Sequence, residues 1–167
     1  VPVVVEFRNR EWAAPEIFEL LRSLGLGYCC VDEPRFRNLM PPVAEATAEV
    51  GYVRFHGRNA GKWWRGSAEE RYDYRYTREE LREWVPKIAA LAAETEKTYV
   101  FFNNHFEANA GLNARDLMDL VQRELPGLEV MAPAPPTMAR IDRLSDGDKL
   151  SLSLISSGRG GSPWETS

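Results

Sequence analysis

The sequence predicts an α/β fold in which parallel strands alternate with helices. Short apolar runs end in polar residues, and segments with a helical apolar period separate most of these runs. Strands that alternate with helices pair in parallel through right-handed crossovers. Four runs are predicted to be buried strands, namely residues 3–8, 27–32, 52–56 and 98–103.

Three segments carry the start and stop signals of helices. The first begins at Pro15, which suits the first helical turn, and ends at Gly25. The second begins at Thr77, which opens a capping box, and the third is predicted to use Asn113 as its N-cap and to stop at residues 126–127. Each helix follows a predicted strand or precedes one, as βα units require.

Two stretches lack a helical period. Residues 33–50 contain three prolines, so at most a short helix is expected there. Residues 57–76 form a predicted loop of about twenty residues in which aromatic and basic residues alternate. This loop is expected to be a platform for nucleotides or single strands, a lid over a pocket, or a cover with its own small core. Its aromatic residues are Trp63, Trp64, Tyr72, Tyr74 and Tyr76.

The chain divides into a βα domain at residues 1–130 and a tail at residues 131–167. The tail is rich in Pro, Gly and Ser, so it is predicted to be poorly ordered. Alternating leucines at Leu150, Leu152 and Leu154 indicate a short strand within it. The chain opens at Val1 directly on an apolar strand, so we expect a fragment of a longer protein. About four βα units are half the number in a closed barrel of about 250 residues, which leaves half a barrel or a small open sheet as alternatives.

Composition and charge exclude several classes of function. The net charge of −4 does not call for nucleic acid as a partner, and no apolar run approaches the roughly 20 residues of a membrane span. Cys29 and Cys30 are adjacent, so on a strand they point to opposite faces and cannot share a metal. We therefore expect packed thiols in a cytoplasmic protein that does not enter a membrane.

Polar side chains gather at the carboxyl ends of the predicted strands, where parallel α/β folds bind ligands. Glu6 and Arg8 share one face of their strand, as do Arg54 and His56, because side chains alternate. We expect one ligand pocket where these ends converge; the alternative is an internal salt-bridge network that pins strand register. The converging residues are Glu6, Arg8, Asp32, Arg54, His56 and Asn103.

These residue types suggest hydrolase or lyase chemistry on an anionic or phosphate-bearing ligand. His56 is the candidate general acid or base because imidazole titrates near neutrality, and Glu6 or Asp32 would orient it. Arg8, Arg54 and Arg58 are expected to hold the anion by forked hydrogen bonds, although Arg58 is also consistent with an exposed loop charge.

Two asparagine side chains complete the candidate site, and the sequence adds no metal or cofactor motif to it. Asn103 and Asn104 offer donors and acceptors to a polar ligand. His56 and His105 lack the spacing of a known metal motif, so no metal is predicted. The chain has no P-loop, no dinucleotide fingerprint and no G-x-S-x-G elbow, so no cofactor is assigned.

Several of these segments, in this order and spacing, resemble the YecE-like family, a bacterial and archaeal family of unknown function. The most specific are Arg54-Phe55-His56-Gly57-Arg58-Asn59 and Phe102-Asn103-Asn104-His105, and the likeness runs from about residue 3 to 125. The resemblance implies a TIM-barrel-like fold and places the chain in the C-terminal half of a (βα)8 barrel. The expected partner is then the missing half or a second copy of the chain. Its recurrent polar positions would be Glu6, Arg8, Asp32, Arg54, His56, Trp63, Tyr74, Asn103 and Asn104.

Three functional hypotheses follow. The first is an enzyme-like pocket for a small anionic ligand at the strand ends. The second is a non-catalytic module that binds nucleotides or nucleic acid through the aromatic and basic loop. The third is an inactive half-barrel fragment.

Overall fold

The computed structural model describes residues 1–131 and 151–155 of the 167-residue chain. Six strands form one sheet in the order β1-β2-β3-β4-β6-β5. Strands β1 to β4 pair in parallel, and β6 is antiparallel to both β4 and β5. The predicted α/β fold with four parallel strands is therefore confirmed. The strands are β1 (Val4–Val5), β2 (Gly27–Asp32), β3 (Val50–Phe55), β4 (Lys97–Phe102), β5 (Glu129–Met131) and β6 (Ser151–Ile155).

In the described part of the chain, five α-helices accompany the sheet: α1 (Pro15–Leu24), α2 (Ala68–Tyr72), α3 (Arg78–Arg82), α4 (Val85–Glu94) and α5 (Asn109–Glu124). The first prediction is confirmed, with Pro15 in the first turn and Gly25 as a left-handed C-cap. The capping box at Thr77 is also present. The single helix predicted after it is two helices, because Pro86 has no backbone N–H and its ring clashes with the carbonyl four residues earlier, that of Arg82, where α3 ends.

The prediction that Asn113 caps a helix is wrong. Helix α5 begins at Asn109, after Glu107 and Ala108 adopt positive φ angles that turn the chain into the helix one turn early. Asn113 therefore lies inside α5 and is fully buried. Its side chain accepts a hydrogen bond from the Tyr76 N–H at 3.0 Å and donates one to the Tyr76 carbonyl at 2.8 Å. These two hydrogen bonds attach the end of the loop at residues 57–76 to α5.

The two faces of the sheet differ in burial. Along β3 and β4, alternate side chains are buried under the helices, and these are Val53, Phe55, Val100 and Phe102. The intervening side chains are only half-buried, whereas β2 is buried along its whole length. A parallel strand that is covered on both sides is buried at every position, so β3 and β4 lack a cover on one side. We call this side the open face; it carries Tyr52, Arg54, Tyr99 and Phe101.

The loops and the tail are described in part. Residues 33–49 contain no helix, which agrees with the expectation of at most a short one. The loop at residues 57–76 contains α2, whose capping box joins Ser67 and Glu70; at five residues, α2 is too short to show an apolar period in the sequence. The strand indicated by alternating leucines is present as β6, whereas β5 was not predicted. The predicted tail otherwise falls at residues 132–150 and 156–167, outside the described residues. Over the described part of the chain, no helix has the length and apolar character of a membrane span.

Candidate functional site

Five polar residues meet at the carboxyl ends of β1, β3 and β4 on the side of the open face, and we call them the polar cluster. They are Glu6, Arg8, Arg54, His56 and Asn103. Strand register explains why they meet: Arg54 stands opposite Phe101 and Val31, so its side chain lies on the open face, and His56 follows two residues later. The backbone N–H of Asn103 donates to the Phe55 carbonyl at 2.8 Å, which extends the ladder and places Asn103 beside His56.

Glu6 is the centre of the polar cluster. Its Oε1 accepts a hydrogen bond from His56 Nε2 at 2.8 Å and forms an ion pair with Arg8 Nη2 at 2.9 Å, and its Oε2 accepts a hydrogen bond from Arg54 Nη1 at 2.8 Å. Burial raises the pKa of Glu6, but the hydrogen bond from His56 and the nearby positive charges outweigh it and lower the pKa to about 2. Glu6 is therefore ionised at neutral pH.

His56 is completely buried, with both ring nitrogens engaged. Asn103 Nδ2 lies 3.3 Å from Nδ1 and Arg8 Nη1 lies 3.5 Å from Nε2. Because the ionised Glu6 can only accept, Nε2 carries the proton and donates to Glu6, so the Arg8 contact is not a hydrogen bond. Nδ1 then accepts from the Asn103 amide. Burial, together with the charges of the two arginines, lowers the pKa of His56 below its usual value despite the bond to Glu6. His56 is thus a neutral imidazole at neutral pH.

Asp32 does not join the polar cluster, contrary to expectation. It pairs in register with Phe55, so its side chain points to the opposite, helix-covered side of the sheet. There it is fully buried, and its two carboxylate oxygens accept hydrogen bonds from five donor atoms. The donors are Nε and Nη2 of Arg58, the Tyr76 hydroxyl, Nε1 of Trp84 and Nη2 of Arg35, at 2.7–3.2 Å. Asp32 therefore matches the alternative to a ligand pocket, in which charged residues form an internal salt-bridge network.

Glu33, which was not among the predicted site residues, lies where Asp32 was expected to lie. It follows Asp32 directly, and the His56 N–H donates to the Asp32 carbonyl at 2.8 Å, so the β2–β3 ladder continues beyond the strand ends. Extending the Asp32–Phe55 register by one residue places Glu33 beside His56, on the same side as Arg54. The register that pairs Val31, rather than Asp32, with Arg54 puts Glu33 on this side, and the sequence alone does not give that register.

Three other predicted ligand contacts have partners elsewhere in the fold. Arg58 is not an exposed loop charge, because its forked contact with Asp32 is buried and extends to Glu83. The Tyr74 hydroxyl donates to Glu80 at 2.5 Å, and the Asn104 amide donates to the Tyr74 carbonyl at 2.7 Å. These contacts place Arg58, Tyr74 and Asn104 in the packing of the loop, outside the polar cluster.

The aromatic residues of the loop largely pack against one another. Trp63 is buried, with Tyr72 edge-on at 6.5 Å and the Arg71 guanidinium 5.9 Å from its ring. Tyr76 is buried, whereas Trp64 is 59% exposed. Of the three alternatives for this loop, a cover with its own small core matches these contacts. Tyr72 extends that core toward the polar cluster, with its ring 6.1 Å from that of His56.

A separate cleft lies in the loop after β2. Its volume is ≈ 160 Å³, and none of the polar cluster lines it. Its walls are Arg10, Arg35, Phe36, Arg37, Leu39, Met40, Pro41 and Pro42. Within residues 1–131 and 151–155, no three His, Cys, Asp or Glu side chains are grouped as a metal site would require.

The fold and the polar cluster define a parallel α/β protein whose charged side chains gather at the carboxyl ends of its strands. The family described as "Protein of unknown function DUF72" matches residues 1–139, so the chain belongs to that family. It is the YecE-like family under another name, and its description assigns no reaction.

Relatives and solved structures agree with this membership. The UPF0759 protein YunF of Bacillus subtilis (strain 168) is 34% identical over 142 residues, which cover 77% of this chain and 49% of that protein. A DUF72 family protein (TM1631) from Thermotoga maritima MSB8 is 38% identical with a TM-score of 0.70, covering 73% of this chain and 46% of that one. Another (EF0366), from Enterococcus faecalis V583, is 26% identical with a TM-score of 0.66, covering 73% and 48%. The chain spans about half the length of these relatives.

Proposed function

We propose that the polar cluster is an enzyme-like site for an anionic ligand, either phosphate-bearing or a carboxylate, and that it serves hydrolase or lyase chemistry. The observation that carries the proposal is the grouping of Arg8 and Arg54 around the single carboxylate of Glu6. Two guanidinium charges and one carboxylate charge leave an excess of one positive charge, since His56 is neutral. A positive excess at the strand ends attracts an anion.

Each member of the cluster has a distinct role in this proposal. Arg8 is 57% exposed at its side chain, so it can reach a ligand directly, and Arg54 lies behind it at 24%. His56 supplies the acid or base, and Glu6 orients it through the 2.8 Å bond to Nε2. Before Nδ1 can take part in proton transfer, its hydrogen bond with the Asn103 amide must break. Asp32 and Arg58 have no part in the chemistry.

Replacing Arg8 with alanine tests the anion site. Inorganic sulfate is the probe because it is tetrahedral like phosphate and stays doubly ionised near neutral pH. A hydrogen bond to a charged group is worth about 1.5–3 kcal/mol, so R8A is expected to weaken sulfate binding about ten- to a hundredfold in isothermal titration calorimetry.

Arg82→Ala is the matched control for this experiment. Arg82 is 53% exposed and also pairs with a carboxylate, that of Glu124, but it lies on α3 outside the polar cluster. R82A should bind sulfate as the unaltered chain does. Absence of sulfate binding in the unaltered chain, or an equal loss in both variants, would refute the anion site.

We further propose that the chain forms the C-terminal half of a TIM-barrel-like fold. Its support is the open face: Tyr52 and Phe101 stack there with ring centroids 4.7 Å apart and remain half-buried, where a closed barrel would enclose them. The occupant that fits is the other half of a barrel, because the relatives are about twice as long as this chain. In the isolated chain, a second copy takes that place.

Sedimentation velocity tests this second proposal on the isolated chain. The unaltered chain is expected to self-associate, and Phe101→Glu is expected to shift it toward monomer by placing a charge on the open face. Phe106→Glu is the control, since Phe106 is 37% exposed but lies outside the sheet. A monomeric chain that melts cooperatively would contradict the half-barrel proposal.

A further inference from the structure

Glu33 is a fully buried carboxyl group with one oxygen that lacks a partner. Its Oε1 accepts a hydrogen bond from the Met40 N–H at 2.8 Å. Its Oε2 is enclosed, and no hydrogen-bond partner for it occurs among the described residues. A buried polar atom without a partner costs about 1–3 kcal/mol, so its presence next to a charged cluster calls for an explanation.

The position of Glu33 connects it to the polar cluster. It follows the last residue of β2 directly, and extending the β2–β3 register by one residue sets it beside His56. The charged groups whose fields act on it are Arg8 and Glu6, which follow β1, and Asp32, the last residue of β2. Glu33 therefore borders the polar cluster at the end of β2.

Its surroundings favour the protonated form. The pKa of Glu33 is raised to about 7, mainly by burial and further by the negative charges of Glu6 and Asp32, while the Met40 N–H and Arg8 oppose the rise. Glu6, the carboxylate at the centre of the polar cluster, has a pKa of about 2. Two carboxyl groups that share a site but ionise in different pH ranges are typical of sites in which one group donates a hydrogen or a proton.

We propose that Glu33 is a ligand-binding residue of the polar cluster that acts as an acid, with Oε2–H donating a hydrogen bond to an oxygen of the bound anion. This proposal rests on the proposed anion site. The ligand class it selects is an oxyanion with an acceptor oxygen beside the two arginines, such as a phosphate ester or a carboxylate. Because Oε2 is enclosed, a side chain must shift to admit the ligand, and Arg8, at 57% exposure, is the most exposed member of the polar cluster.

Proton-linked binding is the measurable consequence. Ionised Glu33 loses its donor and repels the anion, so sulfate affinity in the unaltered chain should fall about tenfold from pH 6 to pH 8. Glu33→Gln keeps an acceptor for the Met40 N–H and keeps a donor at the other position, but it cannot ionise. E33Q is expected to bind sulfate with an affinity that does not change over this interval. Glu83→Gln, a half-exposed carboxylate outside the cluster, should retain the unaltered pH dependence.

A second measurement does not depend on the folding of E33Q. The carboxyl 13C resonance of Glu33 in the unaltered chain reports its titration, and sulfate should raise its pKa because binding and protonation are reciprocally linked. Binding with the same pH dependence in E33Q, or a Glu33 titration that sulfate leaves unmoved, would overturn the role of Glu33 and leave the anion site standing. If the unaltered chain binds no sulfate at either pH, both proposals fail.

Discussion

Asp32→Asn is expected to lower the free energy of unfolding by about 3–5 kcal/mol, the cost of removing one partner from a buried ion pair. Asp32 is fully buried, and the guanidinium of Arg58, itself largely buried, forks onto it. The amide introduced by this substitution would also place its NH2 donor against a group that already donates, either the Tyr76 hydroxyl or Trp84 Nε1. Urea unfolding followed by circular dichroism measures the loss.

Glu83→Gln is the control for this prediction. Glu83 contacts the same Arg58 guanidinium at 2.8 Å, but its side chain is 50% exposed. An exposed pair contributes about 0–1 kcal/mol, so E83Q should be nearly neutral. If D32N proves as mild as E83Q, Asp32 does not hold the fold together and its assignment to an internal network is wrong.

The pH dependence of stability gives a second readout for Asp32. Burial raises its pKa, but the hydrogen bonds and charge of Arg58 outweigh burial, so the folded-state pKa lies below the ordinary value. A depressed pKa contributes stability that is present above the unfolded-state value, about 3.9, and is lost as the pH falls through the folded-state pKa. D32N should therefore flatten the decline in stability below about pH 4.

Gly57→Ala is expected to cost about 2–4 kcal/mol, through backbone strain and overpacking together. Gly57 has a φ of +91°, a conformation that side chains with a Cβ rarely adopt, and an added Cβ would lie 2.8 Å from the Tyr74 Cβ. Its N–H also donates to the Tyr76 hydroxyl at 2.8 Å, and that hydroxyl donates in turn to Asp32. Because Gly57 follows His56, the strain reaches the polar cluster.

Thermal unfolding of G57A measures this cost, and Gly127→Ala is its control. An added Cβ at Gly127 meets no atom within 4 Å, and its φ is not positive, so G127A should unfold close to the unaltered chain. G57A should also weaken sulfate binding, since His56 is its neighbour. Equal melting temperatures for the two variants would show that the loop adapts to a side chain at position 57.

Local signals in the sequence were sufficient for most elements. The apolar runs located β2 to the residue and β3 and β4 within two residues, because burial under helices demands such runs whatever the rest of the chain does. Pro15 with Gly25 bounded α1, and the capping box at Thr77 opened α3, because these signals act through neighbouring backbone groups. These local signals did not predict the break between α3 and α4, and they did not predict that α5 begins at Asn109.

Asn113 illustrates the limit of local signals. An asparagine before an apolar helical stripe predicts a cap, but Asn113 lies four residues inside the observed helix α5 and holds the backbone of Tyr76, 37 residues earlier in the chain. Its role depends on where the loop returns, and that is decided by tertiary packing. The same holds for Arg58, whose position between Asp32 and Glu83 is set by three separate segments.

By itself, the sequence determined the parallel βα architecture, the family and the gathering of charged residues at the strand ends, since apolar period and alternation are local properties. Only the tertiary structure decided which carboxylate faces which side, because register between strands assigns faces and a shift of one residue exchanges them. The β2–β3 register turns Asp32 toward the helices and places Glu33 beside His56. Asp32 and Glu33 are adjacent in the chain, yet the register makes the first stabilise the fold and places the second beside the polar cluster.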